Sequence, residues 1–340
     1  MKKINVQLKR FVFSSLVCII SASQIVQACD LHPIYTAINS NNLTDNRTDI
    51  GIMHQFTHYE SNVKPLGQDY LPGQHLESNI AQIFADYRIN NKFSTQLNLP
   101  LIHRDFRRLN DGQVENSSES GLGDLSILLK FRAFDLKRSN SFTRIELLGG
   151  LKLPTGNSDR LRELDEEESE HENFASVPNS LKYATRHGGT NGSLIGGEDL
   201  ALGSGSYDWI SGANLFYRQA NWFFLSGLQY TIRQEGDHNY HYGNDLQWHA
   251  GPGVYFSQNQ ERDIAMRIRL AADSKLKDRL NSESINNTDQ SRIFLGPEIR
   301  YESKDGWSFI VASNFAIKTE SASDGVVPQY SILSVFSVDI

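Results

Sequence analysis

No run of about 18 apolar residues occurs in this 340-residue chain, so no part of it reads as a membrane-crossing helix. That leaves membrane strands untouched, because barrel strands carry their hydrophobicity only on alternate positions. Cysteine is nearly absent. Of the two, Cys18 falls within an expected leader and Cys29 is left alone, so no internal disulfide is expected and a small disulfide-stapled fold is excluded. Basic residues are short, 33 against 40 acidic, for a net charge of −7. Nucleic acid, which favours a basic surface, is therefore not an expected partner. The catalytic motifs G-x-S-x-G, H-E-x-x-H and the Walker loop are missing too. The glycine-rich "GSGSYDW" (Gly203 to Trp209) opens a strand pattern rather than a helix, so it supplies no helix N-terminus for phosphate. No enzymatic role is expected. A Ser–His pair of the kind used by barrel phospholipases is the remaining catalytic alternative, and nothing singles one out.

The N-terminus has Lys2, Lys3, Lys9 and Arg10 before the apolar run Phe11 to Ile20, then a small and polar stretch ending Val26-Gln27-Ala28-Cys29. A basic region, a short apolar region and a small residue before the cut predict a cleavable signal peptide over residues 1–28; an internal short helix is the alternative. Its removal takes four basic residues and no acids, leaving a net charge of −11. Lipidation of Cys29 is a further alternative, against which stands Gln27 where a lipobox carries a small residue.

What the chain does have is alternation. Strand patterns run near 47–60, 77–89, 92–103, 122–134, 142–153, 205–218, 221–234, 245–258, 262–274, 291–303, 306–318 and 328–340. Most carry one apolar row, such as Phe93, Leu97, Leu99 and Leu101, or Trp222, Phe224, Leu228, Tyr230 and Ile232. At roughly 10–14 residues they exceed the usual soluble strand and match a tilted membrane-spanning one. Tight polar turns such as "INNK", "RQAN" and "ESKDG" alternate with generally longer polar connections at 61–76, 104–121, 154–204, 235–244, 275–290 and 319–327. The fold class expected is all-β: a transmembrane antiparallel up-and-down β-barrel of about 12 strands, with short periplasmic turns and long extracellular loops. Residues 29–46 are expected to form an N-terminal periplasmic segment and 47–340 the barrel. An extracellular pair of β-sandwiches, or a lectin-like protein, is the alternative. The final stretch "YSILSVFSVDI" places Tyr330, Ile332, Phe336, Val338 and Ile340 in one row. It is similar to the terminal strand that the outer-membrane insertion machinery reads, with Ile340 where an aromatic residue is usual.

The stretch "GLGDLSILLKFRAF" shows how parity sorts the faces. Leu125, Ile127, Leu129, Phe131 and Ala133 fall on the lipid side; Asp124, Lys130 and Arg132 fall on the lumen side. A charge facing lipid at mid-bilayer costs about 2–4 kcal/mol, which enforces the pattern. The same parity sends Arg144, Glu146, Lys152, Asp208, Arg218, Arg233, Arg267, Arg269, Arg292, Glu298 and Arg300 inward. Two readings stay open: a passage whose field favours anionic or carboxylate-bearing solutes, or arginines and carboxylates that pair and fill the barrel. The function expected is a channel for small solutes, hydrophobic or carboxylate-bearing.

Within residues 154–204 lies "DRLRELDEEESEHENF", with eight acids and two arginines between Asp159 and Glu172. A solvated loop is expected; a divalent-cation site is the sharper alternative, and an inward fold would narrow the pore. "CDLHP" spaces Cys29 and His32 as C-x-x-H, so a soft transition metal at Cys29 and His32 is the one metal alternative to an otherwise cofactor-free protein. His54, His58, His238 and His241 read as interfacial or loop histidines. A non-conducting barrel that binds a metal or a partner through "CDLHP" or the acidic loop is the alternative function.

"GLGD" (Gly121 to Asp124), "GGLKLPTGN" (Gly149 to Asn157), "GSGSYDW" and "LSGLQYTI" (Leu225 to Ile232) occur in the order and spacing of one outer-membrane barrel family. Over residues 50–340 the chain resembles the family labelled MetA-pathway of phenol degradation, and "CDLHP" is similar to the start of one branch. The resemblance implies a barrel in the outer membrane of a Gram-negative bacterium, embedded in its lipid bilayer, that passes hydrophobic or aromatic small molecules. The residues also have a local reading. Gly121 and Gly123 let the chain bend or a neighbour approach, Pro154 ends a strand, and Thr155-Gly156 turns the chain.

Overall fold

In a computed structural model, the structure describes residues 48–60, 73–110, 113–164, 195–285, 288–321 and 326–340. The strands are β1 (Thr48–Glu60), β2 (His75–Arg88), β3 (Phe93–Asn110), β4 (Gln113–Leu122), β5 (Leu125–Arg138), β6 (Ser141–Leu153), β7 (Asp208–Gln219) and β8 (Trp222–Ile232). They continue with β9 (Tyr240–His241), β10 (Asp245–Gln258), β11 (Arg262–Lys275), β12 (Arg279–Leu280), β13 (Glu283–Ser284), β14 (Gln290–Ser303), β15 (Trp307–Ser321) and β16 (Val327–Asp339). Neighbours along the wall pair antiparallel, and β1 joins β16 from Asp49 opposite Asp339 to Glu60 opposite Val327, which closes the sheet. β5 pairs with the first part of β3 and β4 with the rest, so β4 and β5 occupy one wall position. The result is a closed twelve-stranded barrel wall. This closed sheet, beside which β9, β12 and β13 form a small three-stranded sheet, replaces the sandwich alternative.

Local chemistry sets the short turns. The Asn90 side chain accepts from the N–H groups of Lys92 (2.9 Å) and Phe93 (3.0 Å), and Asn259 does the same for Glu261 (2.9 Å) and Arg262 (2.8 Å). In the β14–β15 turn Gly306 takes φ of +87°, a conformation that costs glycine little.

The alternation holds in the wall: Ile127 and Leu129 are 44% and 48% exposed, whereas Asp124 and Lys130 are 3% and 5% exposed. Three differences qualify it. A bulge between Arg132 and Phe134 takes Ala133 out of the row, and Phe134 continues the outward face. The interior is also partly apolar: Phe216, Phe223, Leu225, Tyr255 and Ala265 cluster inside near the short-turn end, and Met53, Phe84 and Val335 form a second cluster. Finally, 104–121 is not a loop. β3 and β4 continue as a ladder from Leu101 opposite Leu122 to Asn110 opposite Gln113, extending the long-loop end. Aromatic rings mark the opposite rim, with Tyr301 stacked on Trp307 (4.7 Å) and Phe93 against Phe131 (5.0 Å).

Candidate functional site

Of the charged residues assigned inward by parity, Asp124, Lys130, Lys152, Asp208, Arg233, Arg267, Arg269, Glu298 and Arg300 are buried, Arg132, Arg144, Glu146, Arg218 and Arg292 are half-buried, and most are paired. Lys130 bonds Asp86 and Gln96, and Arg144 pairs with Asp135 (3.0 Å). Arg132 lies 3.7 Å from both Asp135 and Glu146. Lys152 bridges Asp124 (2.7 Å) and Asp208 (2.8 Å), and Arg233 continues the chain from Asp208 (3.2 Å) to Asp245 (2.7 Å). Arg292 pairs with Asp273 at 2.7 Å. Arg267 meets Glu298 at 2.6 Å, Arg300 lies 3.5 Å from the same carboxylate, and Arg218 sits over the Tyr255 ring at 5.6 Å. Arg269 differs: its guanidinium donates to Asn314 Oδ1 at 3.1 Å, and no ion pair to a carboxylate forms among the described residues. Cys29 and His32 lie outside the described residues, as does the acidic stretch from residue 165 onward.

The long-loop mouth is built by residues the sequence marked as turns. The three glycine motifs meet around Asp124. Its carboxylate accepts from Gly156 N (2.9 Å), from Ser204 N and Oγ (3.0 Å each) and from Lys152 Nζ. A Cβ on Gly156 would stand 2.7 Å from Leu202 O and 2.8 Å from Gly203 Cα, so the two loop ends touch only because both are glycine there. Thr155 Oγ1 donates to Gly123 O (3.0 Å), and the N–H groups of Leu202 and Gly203 reach Asn157 O. Asp124 is thus a fastener of the loop as well as a lumen charge.

From that fastening the segment 195–204 turns into the mouth. A single helical turn, Gly197–Leu200, is wholly buried. Ile195 and Leu200 pack with Tyr59, Leu76, Phe106 and Val326; Leu202 packs with Ile80 and Ile102. Arg104 donates to the carbonyls of Asp199 (2.7 Å) and Ala201 (2.6 Å), and across the mouth Tyr242 donates to Glu198 O (3.1 Å). Contacts on opposed walls make the segment a plug. Around it Arg108 joins Glu115 (2.8 Å) and Glu163 (2.9 Å), and Arg160 joins Glu119 and Glu163. Leu161 belongs to a separate cluster with Tyr240, Tyr242, Leu280 and Ile285, where Tyr240 donates to Asp278 (2.6 Å). Burial pushes the Glu198 carboxyl up to about 7, with Asp278 and Glu163 adding to the rise and Lys275 opposing it. The Glu163 carboxyl, although burial raises it, is held below its ordinary value by Arg108 and Arg160. Of the described ends of the 154–204 connection, 195–204 is buried and inward, whereas 154–164 is structured with Asp159 and Arg162 exposed to solvent.

A lumen cavity of about 990 Å³ of non-atom space, part of it open to solvent, reaches Tyr59, which packs against the plug. Its lining includes Gln55, Leu148, His249, Arg269, Phe294 and Asn314. Sequence parity found Arg269; it did not find His249, because one histidine in a polar row carries no signal of its own.

No family model matches the sequence, and no curated protein is significantly similar to it. The resemblance to the phenol-degradation family thus has no family match behind it. Among solved structures, an outer membrane channel from Pseudomonas putida F1 is similar at a TM-score of 0.60 and 10% identity, covering 89% of this chain and 99% of that one. The beta domain of a Bordetella autotransporter, BrkA, aligns at a TM-score of 0.44 and 9% identity, covering 87% of this chain and 100% of that one. The translocator domain of the autotransporter NalP from Neisseria meningitidis aligns at 0.41 and 9% identity, covering 88% and 90%. At these identities the first likeness shows the fold: a closed β-barrel of the outer-membrane kind.

Proposed function

We propose that this protein is an outer-membrane channel for small solutes, gated at its extracellular mouth by its own loop. The observation that carries the reading is the lumen cavity, lined by polar, charged and apolar side chains and reaching Tyr59, against which Ile195 and Leu200 of the inward segment pack. A barrel evolved only as a membrane anchor has no need of such a space. The likeness in fold to the Pseudomonas putida outer membrane channel and the motif resemblance both support this placement. The signal-peptide pattern of residues 1–28 supports export to the outer membrane of a Gram-negative bacterium, and the missing catalytic motifs support a non-enzymatic role.

The test is single-channel recording of the purified protein in a planar bilayer. Discrete steps are expected, brief and small in the native protein because the plug is seated. Steps absent from folded, inserted protein, and absent also when Asp124→Asn unfastens the plug, would leave the non-conducting reading, which the buried plug turn favours.

A further inference from the structure

The inference rests on the channel reading and adds what passes. On the β11–β14 wall, Arg267, Arg269 and Arg300 gather around Glu298, and Glu302 stands beside Arg300 as well. Arg269 is the member of this group that forms no ion pair among the described residues. Its surroundings are cleared by glycine. Arg269 lies directly opposite Gly296 on β14, and its guanidinium reaches past that glycine to Asn314 on β15. A Cβ on Gly296 would run into Ser313 O and come within 3.1 Å of Asn314 Cα. Asn314 in turn donates to Ser331 Oγ at 3.1 Å, which fixes its carbonyl toward Arg269.

On the other flank, His249 of β10 pairs with Gly227 and Ala271, so small residues border it as well. The imidazole is 6% exposed, and Nδ1 has no hydrogen-bond partner among the described residues. A buried polar atom of this kind wants a partner, and the cavity lies in front of it. Phe294, opposite Ala271 and one inward step from Gly296, presents a ring to the same cavity, as does the side chain of Leu148.

We propose that Arg269, His249 and Asn314 form a binding site for a small carboxylate with a compact apolar body, a substrate of the channel. The guanidinium fork matches the two carboxylate oxygens, the imidazole adds one donor, and Phe294 with Leu148 packs the apolar part. Guanidinium alone suits phosphate equally; the apolar flank selects the carboxylate.

Isothermal titration of the full-length protein, folded in detergent, with benzoate, benzyl alcohol and inorganic phosphate reads binding without requiring conduction. Benzoate is expected to bind at least tenfold more tightly than the other two. Arg269→Gln is expected to lose that tenfold preference, and Arg269→Lys, which keeps charge without the fork, to lose most of it. Lys304→Gln, at the short-turn rim, is expected to leave it intact; heat-dependent gel mobility verifies that each variant is folded. Equal binding of benzyl alcohol, equal binding of phosphate, no binding of benzoate to folded protein, or full binding by Arg269→Gln would each overturn the site. Benzoate binding by a protein that never conducts would overturn the channel reading and leave the site standing. Conduction without benzoate binding would do the reverse.

Discussion

Ser204 gives both its backbone N–H and its hydroxyl to one oxygen of Asp124, each at 3.0 Å, although the two residues stand 80 positions apart. Asp124 immediately precedes the wall strand β5, and Ser204 ends the segment that turns into the mouth. The bond therefore couples the barrel wall to the plug. Lys152 and Asp208 extend the coupling to β6 and β7, so the fastening is shared by three consecutive wall strands.

Asp124→Asn is expected to release the plug. The change removes a carboxylate from a buried network that also holds Lys152, and breaking such a pair from one side costs about 3–5 kcal/mol. Single-channel recording should show longer openings and a larger mean current than in the native protein. Unchanged gating would mean that the packing of Leu200 and Leu202 seats the plug without the fastener.

Gly156→Val tests the same junction by shape instead of charge. The new side chain would collide with Leu202 O and the Gly203 backbone, neither of which is a flexible side-chain end. Gating is expected to move as it does for Asp124→Asn, and cleavage by added protease within the 154–204 connection should speed up. Gly149→Val is the comparison, since the nearest atom to a Cβ there is 4.0 Å away.

Much of this protein could be read before its structure. Lipid enforces a strict period of two, so the wall strands and the inward charges from Asp124 to Arg300 followed from parity. The β3–β4 extension did not, because "RDFRRLN" and "QVENSSES" stand beyond the apolar belt and have no lipid face to mark them. The interior apolar clusters were hidden for the opposite reason. Leu128, Leu148 and Ile210 sit on inward positions, where an apolar residue simply looks like a weakened alternation. The plug was least legible: "GLGD" read as a bend or close approach at a strand start, "PTGN" as a turn and "GSGS" as the opening of a strand, and only the fold shows that they clasp one another.

Glu198 makes plug docking depend on pH. Burial raises its pKa from an ordinary 4.5 to about 7, so docking favours the protonated acid. That contribution is complete below about pH 4.5 and is lost as pH rises through 7. A rise of this size weakens docking by about 3 kcal/mol across the window. Openings should accordingly be more frequent at pH 8 than at pH 5.5. Glu198→Gln, neutral throughout, is expected to flatten the profile. A native profile with the opposite slope would assign the pH response to another group.

Arg267 and Arg269, two residues apart on one strand, are expected to differ sharply when replaced. Arg267→Gln leaves Glu298 inside the barrel without its 2.6 Å partner and with Arg300 at 3.5 Å, so an imperfectly compensated buried charge remains. The cost should be about 3 kcal/mol, seen as a lower unfolding temperature in detergent. Arg269→Gln strands no acid and forfeits only the bond to Asn314, which puts its cost near 1 kcal/mol. Selectivity should nonetheless move: under a potassium chloride gradient the reversal potential of Arg269→Gln is expected to shift toward cations, because the positive charge inside the barrel falls by one. If both variants lost equal stability, Arg269 would be a structural pair member like its neighbour. If neither moved the reversal potential, the arginine wall would lie outside the conducting path.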